Sequence, residues 1–313
     1  MPVLPFRKSS SAQANAYDLS RVLDGFSIEM MPRTAAKIDD FRTILPKETR
    51  AYIAHIDGTP IDDMVATAAR IRAQGFEVMP HIPARSLRDK VELKDWVARY
   101  REEAQIDQAL VLAGGAATQK GDLATSMQLL ETGYFEDAGF TRLHVAGHPE
   151  GNHDIDPDGT TTQVDHALAL KQEYAQHSSA KMAIVTQFAF EAEGVIAWAR
   201  RLRETGIDLP IHLGVAGPAK LQTLIKFAIA CGVGPSLSVL KRRAKDVSKL
   251  IAPFEPNDLL SDLSAMTGSQ DDALFDRIHL FPLGGIRASA DYVALQRGQS
   301  DSGASPSNQK LNP

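Results

Sequence analysis

The sequence predicts a (β/α)8 barrel formed by a single domain, and three observations lead to this fold class. Short β-rich runs alternate with amphipathic helical stretches from residue 26 almost to the C-terminus, which is typical of parallel strands joined by helical crossovers. Eight such strand runs occur, the number that closes a barrel of this class. No glycine-rich dinucleotide-binding fingerprint follows the first strand, which favours a closed barrel over an open doubly wound sheet.

The strands are expected where short apolar and β-branched runs occur, and the helices where apolar residues recur on one face. The strand runs occupy residues 26–31, 50–56, 76–81, 108–113, 142–147, 182–188, 210–215 and 278–283. The stretch between the second and third strands shows the helical pattern, because Pro60 stands at its start, its apolar residues largely share one face and Gly75 ends it. Residues 235–276 exceed a normal crossover and predict extra helices before strand eight.

The composition along the chain predicts the bounds of the domain and excludes several classes of partner. We expect a flexible segment at residues 1–20, one barrel domain over 21–297 and a disordered Ser-, Gly- and Pro-rich tail at 298–313. The net charge of −5 provides no positive field for a nucleic acid, and no apolar stretch is long enough to span a membrane. The single cysteine, Cys231, excludes an internal disulfide. We therefore expect a cytoplasmic protein, and helices with apolar faces allow a homo-oligomer.

Polar residues cluster where the predicted strands end, which is the side of a barrel that carries the chemistry. Glu29 is the most informative of them because it stands in the apolar run FSIEMMP of the first strand. Loss of hydration there is expected to raise its pKa, which suits a general acid near neutral pH. The same pattern also fits a glutamate that points into the barrel and pairs with an arginine.

Four segments at these strand ends resemble the 5,10-methylenetetrahydrofolate reductase family, and they occur in the same order. SIEMMPR of strand one is similar to the family's FEFFPP, and MPHIPARS (79–86) is similar to PHLTC after strand three. LHVAGHPEGN (143–152) is similar to VAGYPEGHPE after strand five, and IVTQFAFE (184–191) is similar to ITQFFFD after strand six. The matches spread over most of the chain.

The resemblance implies a flavoprotein of one-carbon metabolism. Members of the family bind FAD across the barrel mouth, reduce it with NADH or NADPH, and use it to convert 5,10-methylenetetrahydrofolate to 5-methyltetrahydrofolate. Glu29 takes the place of the catalytic glutamate, which makes it the candidate general acid toward N10 of the folate. Gln187 takes the place of the glutamine that offers a donor and an acceptor to the pterin.

The remaining candidate residues follow from the same motifs or from their place at a strand end. For the cofactor they are His55, His81, Gly114, Gly115, His148, Asn152 and Lys171, and for the substrate they are Arg287 and Lys220. His148 stands where the family has Tyr, and Asn152 stands where it has His. Lys171 and Lys220 also fit hydrated positions on helices. No bound metal is expected.

Two departures from the family pattern bear on function. Gly115 stands where the family's LRGD segment has its aspartate, and Arg287 is displaced from the position of the family's arginine. The missing carboxylate is expected to make the flavin easier to reduce. Two alternatives therefore stay open: a folate-binding or methyl-transferring barrel protein without redox chemistry, and a metal-dependent hydrolase that uses the cluster GHPEGNHDID.

Overall fold

The computed structural model of the chain describes residues 19–116, 118–231, 240, 253–266, 269 and 274–298. Eight parallel strands close into a barrel in which each strand pairs with the next and the last pairs with the first, which confirms the predicted (β/α)8 fold. The strands are β1 (Ser27–Met30), β2 (Arg50–Ile53), β3 (Glu77–Pro83), β4 (Gln108–Leu112), β5 (Arg142–Gly147), β6 (Lys181–Ala189), β7 (Ile211–Ala216) and β8 (Arg277–Phe281).

Helices connect the strands on the outside of the barrel. They are α1 (Pro32–Ala35), α2 (Ile61–Ala73), α3 (Lys90–Glu103), α4 (Ser126–Leu130), α5 (Tyr134–Asp137), α6 (Thr162–His177), α7 (Ala192–Glu204), α8 (Leu221–Ala230), α9 (Asn257–Ala265) and α10 (Ile286–Gln296), with 3-10 turns at Phe41–Thr43 and Ala84–Ser86. No helix in the described ranges combines the length and the apolar character needed to cross a bilayer.

Several predictions about the chain ends and the last crossover concern residues outside the described ranges. These are residues 1–18 of the segment expected to be flexible, residues 299–313 of the expected tail, and much of 235–276. Within that crossover the described part contains α9, which lies directly before β8 as expected for an extra helix.

Local signals account for the helix boundaries. Pro60 is the N-cap of α2, one position before the predicted first turn, and Asp62 adds a negative charge near the positive end of the helix dipole. The side chain of Asp89 caps α3 by accepting a hydrogen bond from the backbone N–H of Glu92 at 2.8 Å. These two signals fix where α2 and α3 begin, at the ends of the loops that lead to them from β2 and β3.

Alternate strand residues separate an outer core from the barrel interior. Ile28 and Met30 of β1 pack outward into the large apolar core between strands and helices. The interior holds a small apolar cluster of Tyr52, Met79, Leu110 and Val185. Seven other inward positions carry buried polar residues: Ser27, Arg50, His81, Gln108, His144, His212 and His279. The interior is therefore a polar column that ends at the mouth, where the strand carboxyl ends meet.

Candidate functional site

Glu29 lies at the carboxyl end of β1 with its side chain directed into the barrel. Because Ile28 and Met30 are buried toward the helices, the alternation of the strand turns Glu29 inward, where its side chain keeps 20% exposure. Its Oε2 lies 3.3 Å from Nε2 of His81 on β3 and 3.7 Å from Nε2 of His279 on β8. Two histidines from different strands therefore converge on one carboxylate.

The charge state of Glu29 differs from the sequence expectation. Burial acts to raise its pKa, but the facing imidazoles of His279 and His81 outweigh that effect and lower the pKa to about 2. The prediction of a raised pKa was wrong because the residues next to Glu29 in the sequence are apolar, whereas the residues next to it in space are not. Its partners are also histidines, not an arginine. Glu29 is therefore ionised at neutral pH in the ligand-free protein.

His279 is a site residue that sequence reasoning did not identify. Its ring is fully buried and packs edge-on against the rings of Tyr52 and Phe281, with centroids 4.5 and 4.8 Å away. Nδ1 lies 2.9 Å from Oγ of Ser27, and Nε2 faces Glu29 at a distance too long for a direct hydrogen bond. Burial lowers the pKa of His279, so the ring is neutral near pH 7.

The loop after β4 carries the two glycines expected beside the flavin. Gly114 adopts φ +92°, and a Cβ at this residue would lie 2.8 Å from Cβ of Pro83, so the loop packs too closely on β3 for a larger residue. Gly115 has no atom within 4 Å of the place where its Cβ would stand. The space that the side chain of the family's aspartate would occupy is thus open. It lies at the edge of the barrel mouth, which we call the rim.

His148 and Lys171 lie close together at the rim after β5. Lys171 of α6 is only 7% exposed, and its Nζ donates to the carbonyl of Ala146 at 3.3 Å. Burial lowers the pKa of Lys171 to about 8, and burial together with the charge of Lys171 lowers the pKa of His148 to about 4. Lys171 is therefore a buried amine and not a hydrated helix residue.

The loop that contains Asn152 satisfies many of its own polar groups. Oδ1 of Asn152 accepts the N–H of Asp154 at 2.9 Å. Asp156 accepts the N–H groups of Gln163 and Val164 at the start of α6, at 2.9 and 3.1 Å. No three His, Cys, Asp or Glu side chains in the described part of the chain are grouped to hold a metal ion. The acidic end of the GHPEGNHDID cluster is used to begin a helix.

Gln187 lies on β6 where the register with β7 shifts, between Val185 and Phe188. A Cβ on Gly214 of β7 would lie 2.5 Å from the carbonyl oxygen of Gln187, so this glycine permits the close approach of the two strands. The side chain of Gln187 is half-buried at the carboxyl end of β6. The irregular register therefore falls on the predicted pterin-binding residue.

The other three predicted residues occupy separate places on the rim. The ring of His55 packs against Trp96 of α3, with centroids 5.2 Å apart. Lys220 is the exposed N-cap residue of α8, and Arg287 is exposed in the first turn of α10. The structure thus brings Glu29 together with His81, and His148 together with Lys171. Burial and the charge of the nearby His81 lower the pKa of His55, whereas Lys220 and Arg287 are exposed positions at the starts of their helices.

Comparison with known proteins shows the fold. No family model matches the chain. An uncharacterised protein from Clostridium thermocellum that binds two copies of 5-methyl-5,6,7,8-tetrahydrofolic acid is similar with a TM-score of 0.56 at 11% identity, over 90% of this chain and 97% of that chain. Fold and site define a (β/α)8 barrel protein with an ionised glutamate between two histidines at its mouth.

Two further solved structures resemble the chain more weakly. A putative chitinase A from Streptomyces coelicolor has a TM-score of 0.47 at 11% identity, over 88% of this chain and 99% of that chain. DHPS from Yersinia pestis has a TM-score of 0.42 at 11% identity, over 90% and 95%. At these TM-scores and identities, the similarity gives no information about the activity of the chain.

Proposed function

We propose that the chain is a flavin-dependent reductase that interconverts 5,10-methylenetetrahydrofolate and 5-methyltetrahydrofolate, with Glu29 as general acid. The observation that carries this proposal is the inward carboxylate of Glu29, contacted by His81 and His279, at the strand ends whose motifs resemble that reductase family. The Clostridium thermocellum protein supports the substrate class, since a barrel of this fold binds 5-methyltetrahydrofolate there.

The described residues fit a flavin nucleotide. Nδ1 of His55 and Nδ1 of His148 are buried without a well-aligned hydrogen-bond partner in the described part of the chain, so each offers a polar atom to a bound molecule. Lys171 supplies a buried amine for a phosphate, and the space beside Gly115 leaves room for a planar ring. FAD held by these residues would supply hydride transfer from NADH or NADPH to the methylene carbon of the folate.

Glu29 would hold the proton that the substrate nitrogen N10 receives. The side chain is ionised in the ligand-free protein, and 20% of it is still exposed. Because burial already acts to raise its pKa, a ligand that covers this surface strengthens the effect and favours uptake of a proton. Gln187 offers the pterin a donor and an acceptor without adding charge, while Lys220 and Arg287 offer cations to the folate glutamate.

The absorption spectrum of the purified chain tests the flavin part of the proposal, because bound FAD gives its characteristic visible bands. In an anaerobic mixture, 5,10-methylenetetrahydrofolate should reoxidise the photoreduced protein. Glu29→Gln should keep the flavin and its reduction by NADH or NADPH, but slow the folate half-reaction by about 100-fold or more. Glu77→Gln, at the opposite end of the barrel, is the matched control. Loss of both half-reactions in Glu29→Gln, or of neither, contradicts the assignment.

A folate-binding or methyl-transferring role without redox chemistry is the second candidate. Gly115 favours it, since the mouth lacks the carboxylate that the reductase family carries at this position. Titration calorimetry with 5-methyltetrahydrofolate separates the two roles. A colourless protein that binds the folate and gains no colour with added FAD would replace the reductase proposal with this one.

A further inference from the structure

We propose that Arg50, Arg142 and Arg277 form a binding site for a phosphate-type oxyanion at the amino-terminal end of the barrel interior. This end lies opposite the mouth and Glu29. None of the three arginines belongs to the motif segments at the strand ends. The site is therefore separate from the proposed reaction, and its test depends on neither flavin nor folate.

Three strands of the barrel begin with an arginine, namely Arg50 of β2, Arg142 of β5 and Arg277 of β8. Side chains alternate between the two faces of a strand, so each arginine shares the face of the residue two positions further on. Those residues are buried in the barrel interior: Tyr52, His144 and His279. Because the strands are parallel, the three guanidinium groups enter the interior from the same end.

Contacts and charges place the three arginines near one another. Nε of Arg50 donates to Oε1 of Gln108 at 2.9 Å, and Gln108 is the register partner of Arg142. Burial lowers the pKa of the His144 ring, and the charges of all three arginines act in the same direction. Burial also lowers the pKa of Arg50, and the charges of Arg142 and Arg277 add to that effect. The three like charges therefore repel one another.

The carboxylates beside these arginines are paired with other groups. Glu77 lies 3.3 Å from Nη1 of Arg72 on α2. Asp276 lies 3.3 Å from Nε2 of His212, whereas its distance to Nε of Arg277 is 3.9 Å, too long for a hydrogen bond. Both carboxylates are therefore engaged and leave the arginine charges incompletely balanced.

Arg142 is the member of the group with the least compensation. It makes no hydrogen bond and no ion pair with any residue that the structure describes. Its register partner on β6, Lys181, is an exposed cation at the same end of the barrel. The side chain of Arg277 is 28% exposed, so solvent reaches the group. The amino-terminal end thus presents an excess of positive charge that a dissolved anion can approach.

The donor geometry of these residues favours a phosphate group. A guanidinium presents N–H donors in a planar fork that binds an oxyanion through two parallel hydrogen bonds. A phosphate group carries a charge of about −1.5 to −2 and three acceptor oxygens, so one group can accept from more than one arginine. A carboxylate has two oxygens and a single charge. A bound phosphate would therefore balance the repulsion among the three arginines more fully.

Titration calorimetry of the purified chain with inorganic phosphate, in a chloride buffer of constant ionic strength, tests the proposal. Arg142→Met should weaken phosphate binding by about ten-fold or more, because charge-assisted hydrogen bonds to the ion are lost. Arg142 has no partner to leave unpaired in the described part of the chain, so this variant is expected to fold. Arg277→Met should weaken binding in the same way, and it keeps the test available if Arg142→Met does not fold.

Two control variants locate the bound ion. Arg101→Met removes an exposed arginine in the last turn of α3 and should leave the affinity for phosphate unchanged. Lys171→Met removes the buried amine at the mouth and should keep the binding that depends on Arg142. Binding that is lost in Lys171→Met and kept in both arginine variants would place the ion at the mouth and overturn the proposal.

A phosphate monoester distinguishes a free ion from the phosphate group of a larger molecule. Glycerol 3-phosphate that binds more tightly than inorganic phosphate assigns the site to a phosphorylated small molecule, and weaker binding assigns it to the free ion. Both results keep the arginine site. Absence of phosphate binding by the wild type at millimolar concentration overturns it. The same conclusion follows from wild-type affinity in both Arg142→Met and Arg277→Met, or from an equal loss in Arg101→Met.

Discussion

The polar side chains at the two ends of the barrel interior differ in how they are hydrogen-bonded. At the amino-terminal end, which we call the base, Nε of Arg50 donates to Oε1 of Gln108 at 2.9 Å, and the amide of Gln108 donates to Glu77. At the mouth, Nδ1 of His55 and Nδ1 of His148 have no well-aligned partner in the described ranges, and Nζ of Lys171 donates to the backbone carbonyl of Ala146. The hydrogen-bonded polar groups at the base are paired with one another and stabilise the fold, whereas several polar atoms at the mouth, outside the group formed by Glu29, His81 and His279, remain available to a ligand.

The largest effect on stability is expected from breaking the pairing at the base. Gln108→Met removes the side-chain oxygen that accepts from the buried guanidinium of Arg50 and the amide that donates to Glu77, and it should lower the free energy of unfolding by about 4 kcal/mol. Urea denaturation followed by circular dichroism measures the change. The double variant Arg50→Met with Gln108→Met should recover most of the loss, because no buried charge is left unpaired.

Gln187→Met is the matched substitution at the mouth. Gln187 is half-buried at a strand end, so the same change should alter the free energy of unfolding by less than about 0.5 kcal/mol. Equal losses in Gln108→Met and Gln187→Met would remove the distinction between the two ends.

The second effect comes from the buried amine at the mouth. The pKa of Lys171 falls from 10.5 to about 8 on folding, so the unfolded chain binds this proton more tightly. The free energy of unfolding should therefore increase as pH rises from about 8 to about 10.5, by up to about 3 kcal/mol. Lys171→Met should flatten this increase and raise stability at pH 7, while weakening FAD binding if the amine holds a phosphate.

Denaturation curves collected between pH 7 and 10.5 check the Lys171 prediction. Lys220→Met, at an exposed lysine of the same rim, should reproduce the wild-type dependence on pH. Parallel curves for Lys171→Met and the wild type would show that burial of this amine does not destabilise the fold.

The fold was predictable from the sequence because it depends on local patterns. The run 60–75 was expected as a helix from its capping proline and its apolar face, and α2 covers Ile61–Ala73. All eight strand runs form strands in the expected order, since each one alternates or concentrates apolar residues over a short length. The inward direction of Glu29 follows from the same alternation.

The chemistry around Glu29 was not predictable in this way, because its partners come from β3 and β8, far along the chain. A signal for one of them was present. His144, His212 and His279 each stand between two apolar residues, at 143–145, 211–213 and 278–280. In a strand, that pattern sends the histidine to the face opposite its neighbours, which in a barrel is the interior. All three rings are buried there.

Smaller effects are expected at the adjacent glycines of the loop after β4. Gly114→Ala should lower the free energy of unfolding by about 2 kcal/mol, because φ is positive and the new Cβ would meet Pro83. Gly115→Ala meets no atom and should change it by less than about 0.5 kcal/mol. Thermal melts of the two variants side by side measure the difference, and similar losses would mean that the rim is equally crowded at both residues.

The open position at Gly115 also allows the missing carboxylate to be restored with little loss of stability. Gly115→Asp adds a negative charge at the mouth, where it should oppose negative charge on a bound flavin and lower the flavin's reduction potential. Equilibration with a reference dye measures the potential, and Gly115→Asn provides the same shape without the charge. A lower potential in the Asp variant alone means that Gly115 leaves the flavin easier to reduce. Equal potentials in the two variants would mean that this part of the rim lies too far from the ring for the family's aspartate to matter electrostatically.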